Sequence, residues 1–207
     1  MDVPETREQA VTVPQPPPQP LPEGPLETAR LVLRPWREED IPAVYKICQD
    51  PDIQRWTPVP VPYELKDAEW FVREFAPRGF ATGDEATFAA VVKESGQIAG
   101  VVGLGGIARL TEGRGVRTAE IGYWANPETR GRGYLTEAVR EVVRWGFEEL
   151  GLGRVTWQAF DGNVASRRVV EKAGFTIVGL QRGSHEHRGR RLDMWLADVL
   201  PGELRPA

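Results

Sequence analysis

Cysteine is all but missing from this chain: Cys48 stands alone, so neither an internal disulfide nor a cysteine-based zinc site can form. Histidine is nearly as scarce, confined to His185 and His187, and one His-x-His pair without further ligands does not make a metal centre. No metal is therefore expected. Apolar runs of membrane-spanning length are absent, so no membrane partner is read. A basic excess is missing too: 26 Lys and Arg against 30 Asp and Glu leave a formal net charge of −4, which argues against nucleic acid as a partner. The N-terminus lacks a basic segment followed by an apolar one, so no signal peptide is read and a cytoplasmic protein is expected.

What is present is ordinary for a globular protein: 207 residues, 41% hydrophobic and 27% charged, enough for one well-buried domain. Proline is concentrated at the start. The run Val13-Pro-Gln-Pro-Pro-Pro-Gln-Pro-Leu-Pro has too few N–H donors for helix or central strand, so residues 1–25 read as a disordered or polyproline extension. The domain is expected over residues 26–204. Within it, strands are predicted at 31–35, 87–92, 97–107, 118–125, 154–160, 175–180 and 192–197. Helices are predicted at 41–49, 65–74, 135–150 and 163–173. The fold class is thus mixed α/β, with about seven strands and about four helices, and without the regular alternation of a doubly wound sheet. Cys48 shares the apolar face of its helix with Ile41, Val44 and Ile47 and reads as core.

Two stretches carry chemistry. The first is Ala119-Glu-Ile-Gly-Tyr-Trp-Ala-Asn-Pro-Glu-Thr-Arg-Gly-Arg-Gly-Tyr-Leu-Thr-Glu-Ala138. A strand ends, a turn carries Gly131 and Gly133, and the most amphipathic helix of the chain begins at once. The first N–H groups of a helix have no internal partners and its dipole attracts anions; the glycines permit close approach. Arg130 and Arg132 add charge suited to phosphate. A pyrophosphate site is predicted on these grounds alone. It is neither a P-loop nor a dinucleotide fingerprint, since no Gly-Lys-Ser/Thr follows and the G-x-G-x-x-G spacing is absent. The second stretch is Asp161-Gly-Asn-Val-Ala-Ser-Arg-Arg-Val-Val-Glu-Lys-Ala-Gly-Phe175, in which Asn163 is the cap of a helix that Gly174 ends.

Together these resemble the two motifs of the GNAT acetyltransferase superfamily, in its ribosomal-protein, RimJ/RimL-like branch. The first is similar to the acetyl-CoA pyrophosphate loop Gln/Arg-x-x-Gly-x-Gly/Ala, with Leu135 where a small residue is usual, and the second to Asn-x-x-Ser…Glu-Lys-x-Gly-Phe. The resemblance implies a twisted mixed sheet whose fourth and fifth strands splay apart to admit the pantetheine arm. It implies acetyl-CoA as cosubstrate, held by Gly122, Tyr123, Trp124, Arg130, Gly131, Arg132, Gly133, Tyr134, Leu135, Thr136, Asn163 and Ser166. Gly122 inside its strand suggests a bulge freeing an N–H for the thioester oxygen. Ser166 would donate a proton to the departing thiolate. For the base, Glu120 and His185 stand as alternatives, each with a bland rival: a structural ion pair for the glutamate, an idle surface histidine for the other. The resemblance further implies transfer to a primary amine, either a protein N-terminal α-amine or a small amine such as an antibiotic or polyamine, and allows a homodimer. A cofactor-sensing module without catalysis and an RNA binder using Arg130–Arg132 and Arg188–Arg191 are the other classes weighed. Residues 56–63 and the second helix are expected to shape the acceptor pocket.

Overall fold

The computed structural model describes residues 19–107 and 116–205; the proline run up to residue 18 and the Thr111-Glu-Gly-Arg-Gly connector lie outside the described residues. The strands are β1 Leu26–Glu27, β2 Leu31–Arg34, β3 Ala86–Val92, β4 Ile98–Gly105, β5 Thr118–Ala125, β6 Arg154–Phe160, β7 Thr176–His187 and β8 Arg190–Val199. They form one sheet in the order β1-β2-β3-β4-β5-β6-β8-β7, antiparallel throughout except for the parallel pair β5 and β6. The helices are α1 Ile41–Ile47, α2 Pro51–Trp56, α3 Leu65–Trp70, α4 Ala76–Thr82, α5 Tyr134–Glu148 and α6 Val164–Ala173.

Each face of the sheet has its own core. On one face Phe88, Val102, Leu104 and Ile121 meet the Val139, Val142 and Val143 stripe of α5, all fully or nearly fully buried. On the other, Ala89 and Val101 pack under Val44, Cys48, Ile53 and Val72 from the N-terminal helices. Burying one such aliphatic or aromatic side chain contributes about 1.5–3 kcal/mol, so these two layers hold the sheet between them. Cys48 sits in the second layer as expected, and burial pushes its thiol up to about 12, which keeps it protonated and inert.

The mixed α/β architecture is as predicted, with differences in detail that have local causes. There are eight strands rather than seven among the described residues, because the two-residue β1 is too short to show an alternating pattern. Among the described residues six α-helices stand where about four helices were expected. The helix predicted at 41–49 stops at Ile47, and Asp50 then accepts from the N–H groups of Asp52 and Ile53 to start α2 at Pro51. The helix predicted to end at Glu74 continues through Pro77. A π turn, Phe71–Phe75, intervenes: Ala76 donates to the Phe71 carbonyl, five residues back, just before the proline that has no N–H to give. The basic segment expected as a loop between two short strands is itself strand, since β7 runs 12 residues to His187 and turns only at Arg188-Gly189. The fold also reaches back past the boundary expected at residue 26: Leu21 is buried in the core, and its N–H donates to the Phe80 carbonyl at 2.9 Å.

Candidate active site

β5 and β6 are paired only at their beginnings, where Thr118, Ala119 and Glu120 lie beside Arg154, Val155 and Thr156. Beyond Glu120 the strands part, as the sequence led one to expect for 118–125 and 154–160. β5 stays in unbroken register with β4 from Glu120 to Ala125, so the bulge expected at Gly122 does not form. The bulge lies instead between β3 and β4, at Ala90/Val91. The β5 edge facing β6 is freed by the splay, and an alternate set of its N–H and C=O groups has no strand partner there. Gly122 faces open space. A cleft of about 1140 Å³ opens at this parting, lined among others by Glu120, Gly122, Tyr123, Trp124, Asn163 and Ser166.

At one end of the cleft lies the glycine turn. Gly131 and Gly133 have φ of +79° and +81°, in the left-handed region that favours glycine, and Gly133 is the cap residue of α5. Gly131, Gly133, Tyr134, Leu135 and Thr136 line the cleft, where α5 begins with N–H groups that lack partners within the helix. Arg130 and Arg132 behave differently from expectation. Arg130 reaches the cleft but its guanidinium is held by Asp50 at 2.6 Å, tying the loop to the cap of α2. Arg132 is exposed and is absent from the cleft lining; its carbonyl accepts from Arg30 at 3.0 Å. The arginine that does rest on the loop is Arg30, which stacks over the Tyr134 ring and is gripped by Glu137. Arg168 and Lys172 of α6 line the same cleft. The sequence reading missed these three. The i, i+4 spacing of Arg168 and Lys172 on a short helix was a usable sign, whereas nothing local marks Arg30, which lies more than 100 residues from Glu137.

The second motif folds as a cap. The Asn163 side-chain oxygen accepts from the Ser166 N–H at 3.2 Å, opening α6. The Ser166 hydroxyl donates to the Tyr123 hydroxyl at 3.0 Å, and Tyr123 donates on to the Ser166 carbonyl at 2.8 Å. Trp157 also bonds the Tyr123 oxygen; burial dominates and raises the Tyr123 pKa, so the phenol stays protonated. Ser166 is thus part of a hydroxyl pair, a role for Tyr123 that its strand position did not reveal.

Of the two base candidates only Glu120 lines the cleft. Desolvation raises its pKa, opposed by a 2.7 Å hydrogen bond from Gln158 and by the charge of His185. Among the described residues its hydrogen-bond partner is the Gln158 amide rather than a cation. His185 lies in β7 opposite Leu192, its ring 5.4 Å from Phe160, outside the lining and acting on Glu120 through its field. Among the described residues no group of three or more His, Cys, Asp or Glu is arranged to hold a metal ion, and no helix is long and apolar enough to cross a membrane.

The other half of the cleft is walled by Trp56, Tyr63, Trp70, Phe71 and Phe75, from the segment and helix expected to shape the acceptor pocket. The tip of the β7–β8 hairpin secures this wall. Arg188, at φ +51°, donates to the carbonyls of Gln54 and Val59 at 2.7 and 2.9 Å, and His187 bonds the backbone of Arg55. Arg188→Ala is therefore expected to raise the acceptor KM about 3–10-fold, the loss of roughly one kcal/mol of ordering, while the acetyl-CoA KM holds. Steady-state kinetics with each substrate varied in turn would check this; equal changes in both constants would point to general loosening instead.

Fold and cleft together are those of an acyl-transfer enzyme, with a glycine-capped helix start at a parted sheet. Residues 30–176 match the family described as the acetyltransferase (GNAT) domain. The chain belongs to the GNAT acetyltransferase family and is an N-acetyltransferase. Among its relatives is the uncharacterized N-acetyltransferase p20 of Bacillus licheniformis, 28% identical over 181 residues that cover 86% of this chain and 97% of that one. Among solved structures, RimJ of Mycobacterium smegmatis in complex with CoA-disulfide superposes with a TM-score of 0.75 at 23% identity, covering 89% of each chain. Spermidine N-acetyltransferase of Vibrio cholerae in complex with CoA and spermine gives 0.69 at 18% identity, covering 85% of this chain and 98% of that one.

Proposed function

We propose that this enzyme moves the acetyl group of acetyl-CoA to a primary amine by direct attack, with a protein N-terminal α-amine as the acceptor class. The observation that carries the reading is one continuous cleft holding, in order, a helix N-terminus with glycine turns, a hydroxyl pair and an unpaired carboxylate. The glycine turn fits a pyrophosphate, and the free β5 edge fits the amides of a pantetheine arm. Acetyl-CoA supplies the activated acetyl carbonyl. Glu120 takes a proton from the acceptor ammonium, a role suited to a carboxylate whose pKa burial has raised toward neutrality. An α-amine near pKa 8 needs about 3 kcal/mol less for deprotonation than a lysine near 10.4, so a weak base suffices for it. An N–H on the β5 edge around Gly122 to Trp124 steadies charge on the thioester oxygen. The Ser166 hydroxyl, turned from Tyr123 toward the sulfur, donates a hydrogen bond to the departing thiolate, which takes up the proton the amine nitrogen sheds on acylation.

A second reading, a small amine as acceptor, is favoured by Glu85 and Glu120 facing the same aromatic-walled space. Thiol release from acetyl-CoA, measured over Ser- and Ala-starting peptides and a set of small amines, separates the two. Buried Cys48 contributes little background. Peptide turnover that Ser166→Ala weakens supports the first reading; turnover with small amines alone transfers the assignment to the second.

A further inference from the structure

The acceptor half of the cleft has a floor as well as a wall. Ala86 pairs with Leu104 and Gly105 pairs with Glu120, so Glu85, Gly105 and Glu120 stand abreast on three neighbouring chain segments. Gly105 has no side chain to fill the middle. The Glu85 carboxylate leans into that gap: a β-carbon placed on Gly105 would lie 3.5 Å from its Oε1. Gly105 leaves the rung between the two glutamates without a side chain of its own, Gly122 beside Glu120 faces open space, and all of these residues line the cleft.

Elsewhere the protein pairs its shielded carboxylates. Asp40 holds Arg34, Asp50 holds Arg130, Glu137 holds Arg30 and Asp198 holds Arg154. Glu85 breaks that habit. No hydrogen bond or ion pair to a described residue engages its carboxylate; Arg78 acts on it only at a distance, and Asp84 opposes ionisation. A half-buried carboxylate with no cation bonded to it among the described residues, in a cleft partly walled by aromatic rings, is the chemistry that receives an ammonium group.

Building on the transferase reading above, we propose that Glu85 sets acceptor specificity by taking a second positive charge, while the reacting amine lies at Glu120. Two strand spacings separate the backbones of the two glutamates by about 10 Å; the Glu85 carboxylate leans over Gly105, while Gln158 of β6 holds that of Glu120 on the far side of β5. The favoured acceptor is therefore a primary amine with another cationic group on the order of 7–10 Å away, roughly six to eight bonds along an alkyl chain. An alkyl diamine meets this description, as does a peptide whose first residue is lysine.

The test compares matched pairs: 1,5-diaminopentane against 1-aminopentane, and Lys-starting against Gln-starting peptides, with wild type and Glu85→Gln. In wild type the charged member is expected to lead in kcat/KM by about tenfold or more, chiefly through KM, and in Glu85→Gln the ratio falls toward one. Glu85→Asp should restore part of the preference, and melting temperature confirms folding of each variant. Which pair shows the preference tells a diamine from a peptide. A ratio near one in wild type, or one that Glu85→Gln leaves intact, overturns the proposal. Calorimetry of 1,5-diaminopentane binding to the CoA-loaded protein keeps the two readings apart. Charge-selective, Glu85-dependent binding without turnover sinks the proposed reaction and keeps the subsite; turnover without charge preference does the reverse.

Discussion

Gly133→Val is expected to weaken CoA binding about 30–100-fold, with Gly133→Ala falling several-fold short of that. Gly133 adopts φ +81° as the cap of α5, and a β-carbon there meets its own backbone. Forcing an L-residue into this region costs about 1–2 kcal/mol, more when it is β-branched. The loop relieves that strain by shifting, and a shift turns the first N–H groups of α5 away from the cleft. Their alignment is what binds an anion, so strain and lost hydrogen bonds add to about 2–3 kcal/mol, or the stated factor. Space is not the obstacle, since the nearest atom to such a β-carbon is the flexible end of Arg30 at 3.5 Å. Titration calorimetry with CoA would read the graded series directly. Equal affinity in wild type and both variants would remove this loop from the binding site.

Glu120→Gln is expected to lower kcat/KM about 100–1000-fold, the range for loss of a positioned base. The wild-type rate should climb with pH through a carboxylate titration displaced upward from the ordinary value, and the variant should lose that limb. The displacement has a stated cause: desolvation outweighs the Gln158 hydrogen bond and the His185 charge, both of which favour the ionised form. His185→Ala removes one of those favourable influences, so the limb should move to higher pH while activity survives. Were His185 itself the base, its removal would abolish the limb, and this distinguishes the two roles. Stability should run opposite to activity. A carboxyl whose folded-state pKa is raised stabilises the fold at low pH and loses that contribution as pH rises through the raised value. At neutral pH the charge is a liability, so Glu120→Gln should melt higher than wild type there and lose that advantage in acid. Scanning calorimetry at both pH values would show it; a lower melting point at neutral pH would mean that Glu120 serves as a structural partner instead.

The two motifs were legible because each is local. A glycine turn between a strand and an amphipathic helix, and an Asn-x-x-Ser helix start, announce their backbone geometry within a few residues. Propensity and capping act over that range. The same locality could not show what else Arg130 touches. Two arginines beside a glycine turn look free in sequence, yet Asp50, 80 residues earlier, holds Arg130, while Arg30 arrives on the loop from the bend before β2. The placement of a charge depends on which carboxylate the chain brings past it.

What the sequence determined by itself is the alternation of elements and the glycine turn that opens α5, while the splay between residues 118–125 and 154–160 came from the family resemblance. Backbone propensity, burial pattern and glycine chemistry at neighbouring positions decide the first two. Tertiary structure alone decided that Glu85 and Glu120 share a rung across Gly105, that Tyr123 closes on Ser166, and that Arg188 pins the acceptor wall. Each joins residues from 35 to more than 100 positions apart. Only sheet register and packing, which sum many weak contacts over the whole chain, set which of them meet.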